Sequence, residues 1–103
     1  MSTAVTQQGQ AVAQLRTTLG RPDVAAQIAA ALPKHLTAER MIRVALTAIQ
    51  KSPKLAECTQ RSIIGCIVEA SQLGLEPDGV LGFAYLVPFR NSKTGQYEAQ
   101  LIP

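Results

Sequence analysis

The chain has 103 residues, 47% of them hydrophobic, and a formal charge of +3. That length allows at most one small domain with a thin core. The longest uncharged apolar run, Val80 to Phe89, falls far short of a membrane span, and the first twenty residues lack the continuous apolar core of a signal peptide.

A soluble, cytosolic protein with no membrane partner is therefore expected. Two cysteines and a single histidine argue against a zinc site. If Cys58 and Cys66 share one helix, they stand roughly 12 Å apart along its axis, too far for a disulfide.

Residues 1 to about 10 are rich in Ser, Thr, Gln and Gly and read as disordered; residues 1–20 as a whole read as flexible or weakly helical. Val12, Leu15 and Leu19 form one weak apolar stripe, closed by Gly20. Pro22 suits the first turn of a second helix, and Asp23 favours its positive end. Val24, Ile28 and Leu32 recur at helical spacing until Pro33 stops them.

Thr37 is a fitting cap for the next helix, with Glu39 in its first turn. Ile42, Ala45, Leu46 and Ile49 make its core stripe. Arg40, Arg43, Thr47 and Lys51 follow on another face at spacings of three and four, a basic stripe and not merely a basic composition. From Lys34 to Arg61 there are six basic residues (Lys34, Arg40, Arg43, Lys51, Lys54, Arg61) against Glu39 and Glu57. Such a local excess fits a polyanion; a solvated helix face explains the charge equally well. Ser52-Pro53 ends this helix.

Thr59 caps a further helix whose inward side is Ile63, Cys66, Ile67, Ala70 and Leu73, widened by Ile64 and Val68. Gly65 in its middle suggests close approach of another backbone, and Gly74 supplies a left-handed end. Pro77 and Asp78-Gly79 then turn the chain. From Gly82 the period becomes two, with Phe83, Tyr85, Val87 and Phe89 on one face and Ala84, Leu86, Pro88 and Arg90 on the other. A loop from Asn91 to Gly95 leads to a return strand, Gln96 to Ile102, with Tyr97, Ala99 and Leu101 together. Pro88 marks an edge or a break in pairing. The fold class is α+β, helices followed by a β-hairpin.

No catalytic constellation emerges. The phosphate-loop spacing is absent, so no ATP site and no cofactor are expected. His35 lies in a connection, without a nucleophile and carboxylate around it. Glu69, Glu76 and Asp78 match no metal-loop spacing and read as surface or turn acids.

Three segments carry a resemblance: "AALPKHLTAERMIRVALTAIQKSPKL", "IIGCIVEASQLGLEPDGVLGFAYLVPFRN" and "AQLIP". Over about residues 22 to 103 the chain closely resembles the RecT family of phage and prophage single-strand annealing proteins. The most specific matches are Leu32-Pro33, the Thr37–Arg40 helix start, Gln72 to Pro77 and Ala84 to Phe89. The resemblance implies an ATP-independent recombinase that is not an enzyme in the catalytic sense. Its partners would be single-stranded DNA, further copies in a ring or filament, and a phage-type exonuclease. In that family the last strand runs on into a Gly-Tyr-x-Gly segment, so residues 21–103 read as the truncated N-terminal portion of a RecT-like domain.

A single strand needs cations along its phosphates and flat groups for its bases. The candidate DNA-binding residues are Arg40, Arg43, Lys51 and Arg61 on helices, Arg90 and Lys93 at the hairpin tip, and Tyr85 and Phe89 for stacking. Each has a plainer reading: the cations as solubilising surface or as partners of a neighbouring subunit, the aromatics as core. Phe83 and Val87 are expected in the core. Two other functions compete. One is an assembly module that holds no DNA. The other is a helix-turn-helix reader of duplex DNA built on helices 37–52 and 59–74, whose linker of six to seven residues exceeds the usual tight turn.

Overall fold

The computed structural model describes residues 3–77 and 84–103, with side chains from residue 9 onward. The expected turn at Asp78-Gly79 and the placing of Phe83 lie outside the described residues. Among the described residues five helices precede two strands: α1 (Thr3–Leu19), α2 (Pro22–Ala31), α3 (Ala38–Lys51), α4 (Pro53–Ala56), α5 (Gln60–Leu73), β1 (Tyr85–Arg90) and β2 (Tyr97–Ile102). The fold is α+β, as expected. Among these helices none is long and apolar enough to cross a membrane.

Local chemistry sets the helix ends. The Thr37 and Thr59 side chains accept the backbone N–H of Arg40 and Ser62, and Pro22 opens α2. Gly74 ends α5 at φ 70°, where a Cβ would lie 3.2 Å from Pro33 Cγ. The loop before α3 and the end of α5 thus meet at one tight joint. α1 begins at Thr3, well ahead of the Val12 stripe, and buries Leu15 and Leu19. α4 is a single turn inside the expected linker; it buries Leu55 against the core.

The helical stripes shift slightly from their expected positions. α3 buries Met41, Ala45, Leu46 and Ile49, leaving Ile42 half-buried. α5 buries Ile63, Cys66, Ile67, Ala70 and Ser71, while Leu73 is 52% exposed. Ser71 takes the inward place because its hydroxyl donates to the Ile67 carbonyl at 2.7 Å, which satisfies the polar group. Among the described residues no other backbone comes close to Gly65: a Cβ there would meet nothing within 4 Å. Cys58 lies outside α5, in the link before Thr59, so the two cysteines do not share a helix; both are buried free thiols.

β1 and β2 pair antiparallel from Tyr85 opposite Ile102 to Arg90 opposite Tyr97. Asn91 donates to the Gln96 carbonyl at 2.8 Å and Gly95 takes φ 74°. Ladder bonds alternate from that closing pair, so Phe89, Val87 and Tyr85 bond to β2 while Arg90, Pro88 and Leu86 do not. Pro88, opposite Ala99, therefore lacks its N–H at no cost to the ladder.

This register also decides which face is buried. Leu86, Ala99 and Leu101 pack on the helices with Ala84, and Tyr85, Val87, Phe89 and Ile102 turn outward at 39–45% exposure. Val87 is thus not core. α5 packs directly behind β2 and is bonded to it. Thr59 N–H donates to the Tyr97 carbonyl at 3.0 Å, and the Ala99 N–H donates to Ser62 Oγ at 2.9 Å.

Candidate nucleic-acid interface

Two surfaces gather the residues that the sequence singles out. The first is α3. With Met41, Ala45 and Ile49 buried on one side, Arg40, Arg43 and Lys51 are exposed on the other. Their situations differ. Arg40 forms a two-point ion pair with Glu76, Nε to Oε2 at 2.8 Å and an Nη to Oε1 at 3.3 Å. The Glu76 side chain is only 15% exposed. Arg40 therefore ties the start of α3 to the link after α5, at the same joint as Pro33 and Gly74. Arg43 and Lys51 make no ion pair among the described residues.

Arg43 borders an open groove of about 310 Å³ between α1 and α3. Leu46 and Ile42 form its apolar floor, and Glu39, Gln50 and Arg16 line it. Arg16 is absent from the sequence-based candidates because the first twenty residues carry no familiar pattern. Its place next to buried Leu15 is the signal that fixes its direction.

The second surface is the outward face of the hairpin. Tyr85 and Phe89 stand on it two strand positions either side of Val87, opposite Ile102 and Glu98. They are 45% and 40% exposed, so neither is core. Arg90 is exposed at the end of β1 and Lys93 in the loop beyond it. The loop is held by Asn91, whose side chain accepts the Lys93 N–H and donates to Glu98 Oε2, both at 2.9 Å. Alternating aromatics on an open sheet face can stack bases, while Arg90, on the other face of β1, and Lys93, in the loop, place cations at the tip of the hairpin.

Tyr97, the remaining described aromatic, is already occupied. Lys54 Nζ lies 4.7 Å from its ring centroid and 3.2 Å from its hydroxyl. That hydrogen bond, with the charges of Tyr97 and Glu57, holds the Lys54 ammonium above its usual pKa. Arg61 is exposed on the first turn of α5 and does not line the α1–α3 groove. His35 is exposed in the loop before α3. Among the described residues no group of three His, Cys, Asp or Glu side chains gathers as a metal ion would need.

Burial pushes the Cys66 thiol up to about 11, with the charges of Glu69 and Cys58 adding and the Leu101 backbone opposing. Cys58 is raised too, by burial first. Such thiols are protonated and unreactive near neutrality. The helix-turn-helix geometry is not formed. α4 fills the linker, and the N-terminal turn of α5, which a duplex reader would present, is bonded to β2.

Comparison with known proteins identifies the family. The family model described as "RecT family" matches residues 39–103. "Protein RecT" of Escherichia coli (strain K12) is 52% identical over 86 residues, covering 82% of this chain and 32% of that protein. The chain thus spans about a third of the length of the curated relative it matches. No solved structure matches it. Most of the helical layer and the whole described hairpin fall inside the family match, and the chain belongs to the RecT family.

Proposed function

We propose that this chain contributes to single-stranded DNA binding in ATP-independent strand annealing during recombination, as one part of a self-assembling RecT-type protein that works beside an exonuclease. Family membership over residues 39–103 carries this reading. The geometry supports it with two complementary surfaces. Arg43 and Lys51 are available for phosphates, and Tyr85 and Phe89 face outward for bases, with Arg90 and Lys93 at the tip of the same hairpin. No group-transfer step is needed: the strand is held by charge and stacking, and pairing is done by its own bases.

One observation favours a second reading. Tyr85, Val87, Phe89 and Ile102 form a continuous apolar sheet face, which would also suit contact with another copy in an assembly module. The two readings separate by experiment. Single-stranded and duplex oligonucleotides are titrated by fluorescence anisotropy over a salt series, with mass measured by light scattering. On the proposed function the single strand is preferred, and log K falls linearly with log salt. Tyr85→Ala and Phe89→Ala each weaken binding by about 1–3 kcal/mol, because each stacked base carries that much. Absence of binding at low salt refutes DNA binding by this chain. Duplex preference refutes the annealing role. A change in mass without a change in affinity supports assembly instead.

A further inference from the structure

We propose that the groove between α1 and α3 is a second phosphodiester-binding site, with Arg16 and Arg43 as its paired cations. The inference rests on the DNA-binding reading above and extends it to the N-terminal helix, which lies outside residues 39–103 of the family match.

The groove is fixed from both sides. Leu15 and Leu19 are 2% and 0% exposed, so α1 cannot rotate without leaving the core, and Arg16 is held on its flank. On α3, buried Met41, Ala45 and Ile49 do the same for Arg43. Both arginines line the groove, and neither has a carboxylate within ion-pair distance among the described residues. This sets them apart from Arg21, Arg40 and Lys54, which are paired with Asp23, Glu76 and Glu57. Glu39 also lines the groove, but it sits in the first turn of α3, where the helix dipole favours a carboxylate. One unit of positive charge remains.

The remaining surface suits a nucleotide backbone. Leu46 and Ile42 offer an apolar floor for a sugar, and the Gln50 amide is a further hydrogen-bond donor. About 310 Å³ is at the lower end of small-ligand sites, room for a sugar–phosphate unit and not for a folded partner. The groove is open to solvent, as a passing strand requires. Two guanidiniums from different helices can engage successive phosphates, and Arg is suited to that geometry.

The test uses the full chain and a thymidine oligonucleotide, with anisotropy measured over a salt series. Arg16→Gln and Arg43→Gln are each expected to weaken binding about three- to tenfold at low salt. Each should lower the salt slope by about 0.7. Arg16→Lys should keep the slope, since the charge is retained. Both side chains are exposed, and circular dichroism checks that the variants fold. An unchanged affinity and slope in Arg16→Gln, with Tyr85→Ala still weakening binding, overturns the groove and leaves the DNA-binding reading intact. A wild-type chain that binds no oligonucleotide overturns both. Polyglutamate that displaces the oligonucleotide as effectively as free thymidine oligonucleotide assigns the groove to an acidic peptide and overturns the phosphodiester assignment.

Discussion

The Ala99 backbone N–H donates to the Ser62 hydroxyl at 2.9 Å, and the same hydroxyl donates to the Thr59 carbonyl at 2.8 Å. One serine thus closes the first turn of α5 and the outer edge of β2 together. Thr59 extends the seam by donating to Tyr97, and Cys66 continues it beside Leu101. Thr59, Ser62 and Cys66 lie on one face of α5. Replacing the serine tests how much this seam holds. Ser62→Ala leaves the N–H of nearly buried Ala99 without a partner, a loss of about 1–3 kcal/mol. Urea unfolding should show that loss, and hydrogen exchange should localise it to β2. Unchanged stability would mean that water replaces the hydroxyl.

Arg40 and Arg43 are three residues apart, yet their variants should separate cleanly. Arg40→Gln breaks the pair with Glu76 and is expected to cost about 1 kcal/mol of stability, as for a partly exposed ion pair. It should change the salt dependence of DNA binding little. Arg43→Gln should do the reverse. Thermal unfolding beside the anisotropy series gives both readouts. A larger slope change in Arg40→Gln than in Arg43→Gln would show that the ion pair opens for phosphate.

Gly65→Ala should stabilise the chain by about 1 kcal/mol, because the helix gains propensity and the new methyl meets open space. Chemical denaturation of the isolated chain measures this. If the variant is more stable but assembles less, that side of α5 is an intersubunit contact.

The Cys66 thiol gives a pH prediction. Its folded pKa of about 11 lies above the ordinary 9.0. Between those values the unfolded chain loses its thiol proton while the folded chain keeps it, so deprotonation favours unfolding. Stability is full below about pH 9 and falls as pH rises toward 11. Urea midpoints at pH 8 and 10.5 should differ, and the difference should shrink in Cys66→Ala. An equal difference in the variant would place the effect elsewhere, with Cys58 or Lys54.

Much of the helical layer can be read directly from residues. Thr37, Thr59 and Gly74 act within their own turns, so their roles follow from local spacing. The hairpin is equally local: Gly95 and two alternating runs suffice. The buried side of that hairpin is not local. Alternation offers two faces, and the aromatic one looks like core, but the register set by loop 91–96 and the approach of α5 turn Tyr85 and Phe89 outward. Arg40 illustrates the same limit. Its basic stripe is real, yet Glu76, which claims it, lies 36 positions away. α4 is too short to show a period, and Arg16 stands in a segment whose apolar stripe is weak and which lies outside the basic stretch from Lys34 to Arg61.

Pro88 has one more consequence. Among the described residues no further strand pairs with the outer edge of β1, where the backbone groups of Leu86, Pro88 and Arg90 point outward and the central donor is missing. A foreign strand can bond on either side of that gap but not across it. The hairpin therefore pairs an accessible aromatic face with an edge that makes a poor template for fibril growth. This chain can expose Tyr85, Val87 and Phe89 to a partner while its own backbone discourages stacking into endless sheets.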